Sequence, residues 1–165
     1  MTKMNQSEGG VDSPAEISSG SQDFVTMTIY NQLFGIPVLT VQDVLGPQKI
    51  TRIPLASPEV AGALNLRGRI VTAIDVRKRL GLPTAAEGSV SMSVVVDFHG
   101  ELYSLIIDSV GEVLSLPANS FERNPATLDA AWREISTGVY RLKDQLLVVL
   151  DVARLLTFNK QREAA

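Results

Sequence analysis

The chain reads as an all-β protein built from two similar halves, and three observations carry that reading. Apolar and polar residues alternate over short runs, which is the period of a strand. Short polar turns separate several of those runs at close spacing. The sequence also matches itself without gaps, 24–45 over 93–114 and 62–76 over 138–152.

Residues 1–22 are rich in Ser, Gly, Glu, Asp and Gln and are expected to form a disordered N-terminal tail, with a C-terminal tail at 159–165. From Phe24 the run "FVTMTIY" sets Phe24, Thr26, Thr28 and Tyr30 on one side and Val25, Met27 and Ile29 on the other. The runs "LFGIPV", "KITRI", "RIVTAI", "SVVVDF", "LYSLII", "EVLSL", "GVYRL" and "QLLVVL" read as further strands, with turns at Asn31-Gln32, His99-Gly100 and Lys143-Asp144. Gly68 follows Leu66-Arg67 at a hairpin, where glycine reaches φ > 0 without steric cost. Ile70, Val71, Ala73 and Ile74 then place apolar groups on both faces, as in a strand covered on two sides. Helices are short: one at "DVRKRL", one at "DVARLL" and one around "TLDAAWREI". Asp75 and Asp151 stand where an N-cap carboxylate accepts from free amides. Arg77, Lys78 and Arg79 then fall near a helix C-terminus, where the macrodipole favours cations, and Gly81 is placed as a stop.

In the self-match, residue 24 lies over 93, an offset of 69, and residue 62 over 138, an offset of 76. The difference of 7 is an insertion between Leu114 and Gly138, to which "AAWREI" belongs. Each unit then holds about five strands and a closing helix, with the first barrel unit expected at about 24–82 and the second at about 93–158. A unit of about 60 residues buries only about 60% of its unfolded surface and is marginal alone. Two packed together give a pseudo-twofold and a groove between them.

Composition narrows the function. Of 165 residues 45% are hydrophobic and 20% charged, and the net charge is −3, so no overall positive field draws the chain to nucleic acid or an anionic membrane. The lack of cysteine removes disulfides, thiolate metal sites and cysteine nucleophiles. The single histidine, His99, leaves no multi-histidine metal site, and Asp97, Asp108 and Glu112 make no metal cluster with it. No glycine run has phosphate-cradling spacing. No cofactor, catalytic residue or enzymatic activity is expected. No run approaches the roughly 20 apolar residues that span a bilayer, and "MTKMNQSEGG" lacks an apolar signal core, so a cytoplasmic location without membrane insertion is expected.

Arg67 poses the sharpest question. A cation at a turn can be solvated, paired with a carboxylate such as Asp43, or held out to a partner. The segment that contains it, "NLRGRIVTAIDVRKRLGL" (65–82), resembles the N-L-R-G-x-x-x-x-x-x-D-[LV]-R-x-x-[FL]-G signature of the CheW family of bacterial chemotaxis coupling proteins. The preceding "VQDVLGPQKITRIPLASPEVAGALNLRG", the later "LIIDSVGEVLSL" and the closing "GVYRLKDQLLVVLDVARLL" are similar to that family's other motifs, in order. The resemblance runs from Phe24 to about Phe158.

It implies two SH3-like five-stranded β-barrels related by the internal repeat, acting as a non-catalytic scaffold or adaptor in signal transduction. The implied partners are the regulatory domain of a CheA-type histidine kinase and the cytoplasmic tip of methyl-accepting chemoreceptors, in arrays at the membrane or in the cytoplasm. By motif match, Arg67 and Asp43 fall on receptor-coupling positions, with Val41 and Val113 as apolar neighbours. Ile53, Pro54, Gly62 and Leu66 fall in the segment assigned to the kinase side. Two departures stand out. Asp43 replaces the family's usual Glu, so its pair with Arg67 is expected to be looser or bridged by water. Thr72 and Ala73 stand where the family often has Pro and a larger residue, and Thr72 restores a backbone donor that bears on edge pairing.

Other features have plainer readings. His99 is expected to be exposed in a turn, Trp132 to anchor a local core, and the apolar "ITRIPLASP" segment to be packed unless a partner covers it. The alternative function is a small β-barrel nucleic-acid-binding module. Such a barrel needs aromatics stacked on a basic face, whereas aromatics are only 5% of this chain.

Overall fold

A computed structural model describes residues 20–157 of the chain. Residues 1–19 and 158–165, which hold most of the expected tails, lie outside the described part. In chain order the elements are β1 (Ser21–Ile29), β2 (Gln32–Pro37), a 3-10 turn (Val38–Thr40), β3 (Val41–Leu45), β4 (Val60–Leu66), β5 (Arg69–Asp75), α1 (Val76–Arg79), β6 (Met92–Phe98) and β7 (Glu101–Ile107). There follow β8 (Ser109–Pro117), a second 3-10 turn (Ala118–Ser120), β9 (Phe121–Glu122), α2 (Ala130–Ile135), β10 (Ser136–Arg141), β11 (Leu146–Leu150) and α3 (Val152–Leu155). The strand signal at Phe24 thus starts earlier: Ser21 and Gln22 pair with Pro117 and Leu116 and belong to β1, not to a tail.

Two sheets form, as an all-β duplicated chain requires. One has six strands in the order β9-β10-β11-β2-β1-β8, the other five in the order β3-β6-β7-β5-β4. The expected boundaries of the units, 24–82 and 93–158, are corrected by this order. Residues 41–107 supply the whole five-stranded sheet and are inserted between the two parts of the six-stranded one. The chain changes sheets at the Val38–Thr40 turn and again at Asp108. The leading hairpin of each repeat therefore completes the sheet of the other, through parallel pairs β2–β11 and β5–β7.

The internal repeat holds down to single registers. Thr72 opposite Tyr103 is matched by Val148 opposite Phe34, and Val44 opposite Val94 by Val113 opposite Val25. The hydrogen bond from Asp75 N–H to the Glu59 carbonyl recurs from Asp151 to Ile135, both at 2.8 Å. Bulges recur too, between Val60 and Gly62 and between Ser136 and Gly138. A Cβ on Gly62 would lie 2.2 Å from the Thr51 carbonyl oxygen, and one on Gly138 would meet the Phe121 ring and the Glu122 carbonyl. Both glycines also have positive φ, 151° and 159°. Each is required where a flanking segment crosses β4 or β10. That segment is β9 in one half. In the other it shrinks to a single bridge, Thr51 to Ala63, so "KITRI" is not a strand.

Three hairpins turn on two residues that both have φ > 0, the geometry matching strand twist: Tyr30-Asn31 (52° and 64°), Arg67-Gly68 (52° and 84°) and His99-Gly100 (55° and 82°). The first sits one residue before the expected Asn31-Gln32, because Gln32 already pairs with Ile29. Val25, Met27 and Ile29 join Phe34, Ile36, Val94, Val96, Leu105, Ile107 and Val148 in a core shared by both sheets. Smaller clusters fill each unit: Phe24, Tyr140, Leu147 and Val149 in one, and Leu64, Val71 and Ala73 in the other. Trp132 anchors locally as expected, edge-on to Phe34 at 5.3 Å and donating to the Leu80 carbonyl. β5 is paired on both sides, so the Thr72 donor lies inside the sheet and not at an edge.

Asp75 and Asp151 cap their helices, accepting from the amides of Lys78 and Arg154. Two neighbouring cations do not serve their own helix end. Arg79 donates to the carbonyls of Leu155 and Arg154 in α3. Arg77 forks onto Asp108 with contacts of 2.8 and 2.6 Å, while its guanidinium carbon lies 5.6 Å from the centre of the Tyr30 ring. Asp108 accepts in addition from the Tyr30 amide. The second sheet crossing is thereby tied to α1 and to the β1–β2 turn. The Arg77 hydrogen bonds hold the Asp108 carboxyl below the usual carboxylate range, against the opposing pull of burial.

Gly62→Ala should cost about 3 kcal/mol through the carbonyl clash, against about 1 kcal/mol for Gly68→Ala, where only φ is at issue. Thermal melts check this, and equal losses would contradict the close approach. Asp108 ionises more readily folded than unfolded, so its share of stability is full above the unfolded pKa near 3.9 and fades as pH falls through the lower folded value. Asp108→Asn should therefore lose about 1–2 kcal/mol at pH 7. Its deficit in urea denaturation should shrink between about pH 5 and pH 3, and a pH-independent deficit would contradict the pairing.

Candidate functional site

β3 and β4 are the two edges of the five-stranded sheet. A sheet of right-handed twist curls, and here it curls far enough that a side chain at the end of one edge meets the other. Arg67, in the β4–β5 turn, places Nη2 2.8 Å from Oδ2 of Asp43 on β3. The turn is fixed locally, since the Gly68 amide donates to the Asn65 side-chain oxygen at 3.0 Å. β3 carries a bulge between Val41 and Asp43, which bends the strand at this point.

The pair is direct, so the expectation of a loose or water-bridged contact from the shorter Asp43 side chain is corrected. The curl of the sheet supplies the reach that the missing methylene would have given. The Arg67 guanidinium holds the Asp43 carboxyl below its usual range, and the hydrogen bond from the Val44 amide adds to this. Exposure is unequal: the Arg67 side chain is 74% exposed and Asp43 only 25%. A guanidinium has five donors, and an exposed one engaged through a single edge keeps others for a second acceptor. Gln42, Leu66, Arg69, Val95 and Leu102 surround the pair in a depression of about 170 Å³. The arrangement is an oriented cation on a tight turn, beside a depression that mixes Gln42 and Arg69 with Leu66, Val95 and Leu102.

The remaining sequence-derived positions separate. Val41 shares β3 with Asp43 and packs half-buried against the common core. Val113 lies on β8 in the other sheet, 54% exposed, and does not line the depression. Ile53 and Pro54 stand exposed in the loop between β3 and β4, where Leu55 is fully exposed at φ 62°. Gly62 is buried, and its bare Cα is accounted for inside the chain by Thr51. Leu66 belongs to the Arg67 depression rather than to the Ile53 loop. The "ITRIPLASP" segment divides: Ile50 packs against the small cluster of Leu64, Val71 and Ala73 as expected, while Ile53 and Leu55 are exposed. Sequence reasoning did not single out Leu55. Its signal was an apolar residue directly after Pro54, but the positive φ has no sequence mark.

Comparison with known proteins gives a consistent result. The CheW-like domain family matches residues 23–160. A chemotaxis protein CheW of Klebsiella aerogenes is 30% identical over 136 residues, covering 82% of each chain. The chemotaxis protein CheW of Bacillus subtilis is 25% identical over 150 residues, 91% of this chain and 96% of the relative. The crystal structure of the scaffolding protein TtCheW from Thermoanaerobacter tengcongensis superposes with a TM-score of 0.75 at 28% identity, covering 84% of this chain and 94% of that one. With a family match spanning nearly all of the described fold, the chain belongs to the CheW-like domain family.

Proposed function

We propose that the chain is a non-catalytic adaptor that couples chemoreceptors to a CheA-type histidine kinase in a chemosensory array. The family match and the chemotaxis relatives support this reading. The observation that carries it is the exposed Arg67 guanidinium, steered by Asp43 at the rim where two sheet edges meet. No matched relative favours the nucleic-acid alternative. Among the described residues no helix is long and apolar enough to cross a membrane.

On this reading the receptor side is the Arg67–Asp43 rim with Val41 on the same strand as Asp43 and Val113 on the other sheet. An isolated surface ion pair adds little to folding, so the chain can lend it to a partner without losing its fold. The kinase side is the loop bearing Ile53, Pro54 and Leu55, with Gly62 setting the loop's approach from within and Leu66 joining it to the rim. An exposed leucine in the left-handed region costs about 1–2 kcal/mol, and a fully exposed one gains nothing back from burial in the free chain. A partner that covers Leu55 supplies the missing burial.

Arg67→Glu should weaken binding to a receptor hairpin-tip fragment roughly tenfold, measured by calorimetry, with an unchanged melting temperature. Equal affinity would remove the receptor assignment. The double variant Arg67→Asp with Asp43→Arg should restore the pair but not the affinity, since the guanidinium then projects from the other edge. Leu55→Asn should raise or leave the melting temperature, because Asn tolerates the left-handed region, while weakening kinase-domain binding. Undiminished kinase binding would exclude the loop.

A further inference from the structure

Besides β9, the two halves differ at a second place where the repeat predicts that they match. In one half the sheet crossing at Asp108 is sealed by Arg77, whose guanidinium lies beside the Tyr30 ring. At the repeat offsets of 76 and 69, Arg77 corresponds to Ala153, Asp108 to Leu39 and Tyr30 to His99. Ala153 cannot reach across, and Leu39 offers no carboxylate and is 90% exposed. The image of the seal is an open cavity of about 560 Å³ that includes Ala153, with Thr40 beside Leu39 and Phe98 beside His99 in its lining.

The lining has a chemistry of its own. Three of the chain's five phenylalanines and one of its three tyrosines line it: Phe24, Phe98, Phe121 and Tyr140. Among the described residues its only charged ones are Asp97 and Asp151, with no Lys, Arg or His. Each aspartate engages one oxygen in a local amide contact, Asp97 with Gly100 and Asp151 with Arg154. Asp151 has a further, longer contact to the Arg154 side chain at 3.6 Å. Tyr140 is 3% exposed, and its ring packs edge-on to Phe24 at 5.5 Å and tilted to Phe121 at 5.3 Å. Aromatic walls with carboxylates at the rim favour a cation that stacks, and a planar guanidinium stacks where an ammonium does not.

We infer that this cavity receives an arginine side chain presented by a partner polypeptide, taking in trans the place that Arg77 fills in cis in the other half. The guanidinium lies beside the aromatic lining and pairs with Asp97, while its methylene stem and a neighbouring apolar side chain cover Phe121, which is 41% exposed. This site is separate from the Arg67 rim, so its failure leaves the adaptor reading untouched and the reverse also holds.

The test is a titration of the whole chain, followed by amide NMR shifts, with the capped tripeptide Leu-Arg-Leu. The matching Leu-Lys-Leu and Leu-norleucine-Leu peptides and agmatine serve as comparison probes. Saturable shifts at Phe98, Phe121 and Tyr140 are expected with the arginine peptide, and roughly tenfold weaker binding with lysine. Ala153→Arg copies the sealed half on an exposed helical position and should abolish binding without lowering the melting temperature. Asp97→Asn, which keeps the acceptor for the Gly100 amide, should weaken it several-fold. No saturable shift, equal binding of lysine or norleucine peptides, or full binding by Ala153→Arg would overturn the proposal. Agmatine binding as tightly as the peptide would overturn the assignment to a partner chain and make this a small-molecule site.

Discussion

Neither repeat can finish its own sheet, and that constraint governs the rest of the molecule. Each leading hairpin finds its parallel partner in the other repeat, β2 on β11 and β5 on β7. Parallel neighbours need a crossover: β2 reaches β11 through residues 38–145, and β5 reaches β7 through α1 and β6. The shared core between the sheets follows, since Val25 and Met27 from one hairpin and Val94 and Val96 from its image meet there. So does the cost of crossing between sheets. Asp108 makes one crossing in a single residue and is held by three hydrogen bonds, whereas the Val38–Thr40 crossing is left with the Thr40 hydroxyl bonded to the Pro37 carbonyl.

The same constraint explains where the Arg67–Asp43 pair arises. A five-stranded sheet completed from two repeats curls until its edges approach, and Arg67 and Asp43 occupy the seam. An ion pair at such a seam contributes little to stability, so charge at the rim is available to a partner. Gly62 and Gly138 mark the contrasting case. Both are demanded by close approach inside the fold, Gly62 by the Thr51 carbonyl in the loop that also carries Ile53 and Leu55.

Much of this was legible in the amino-acid sequence. The offsets of 69 and 76 locate the repeat down to paired registers, Asp75 and Asp151 announce their caps, and Gly68 and Gly100 announce their hairpins. The exchange of hairpins was not legible, because a strand of a given period pairs equally well with either copy of a duplicated partner. "KITRI" misled for a related reason: its apolar residues satisfy the strand pattern, but only Thr51 bridges β4. The Arg67–Asp43 pairing was a matter of choosing among solvated, paired and partner-held readings, and distance settles it. Arg77 and Arg79 were read as serving the macrodipole of their own helix, since nothing local to them points to Asp108 or to the α3 carbonyls.

The most direct measurement of the central claim, that one chain holds receptor and kinase at once through separate faces, is a three-component sedimentation. Vesicles bearing a chemoreceptor are spun with a CheA-type kinase, with and without this protein. Kinase should enter the pellet in proportion to added chain up to saturation and stay in solution without it. Kinase that pellets equally in the absence of the chain, or that is displaced from the receptor as the chain is added, would contradict the account.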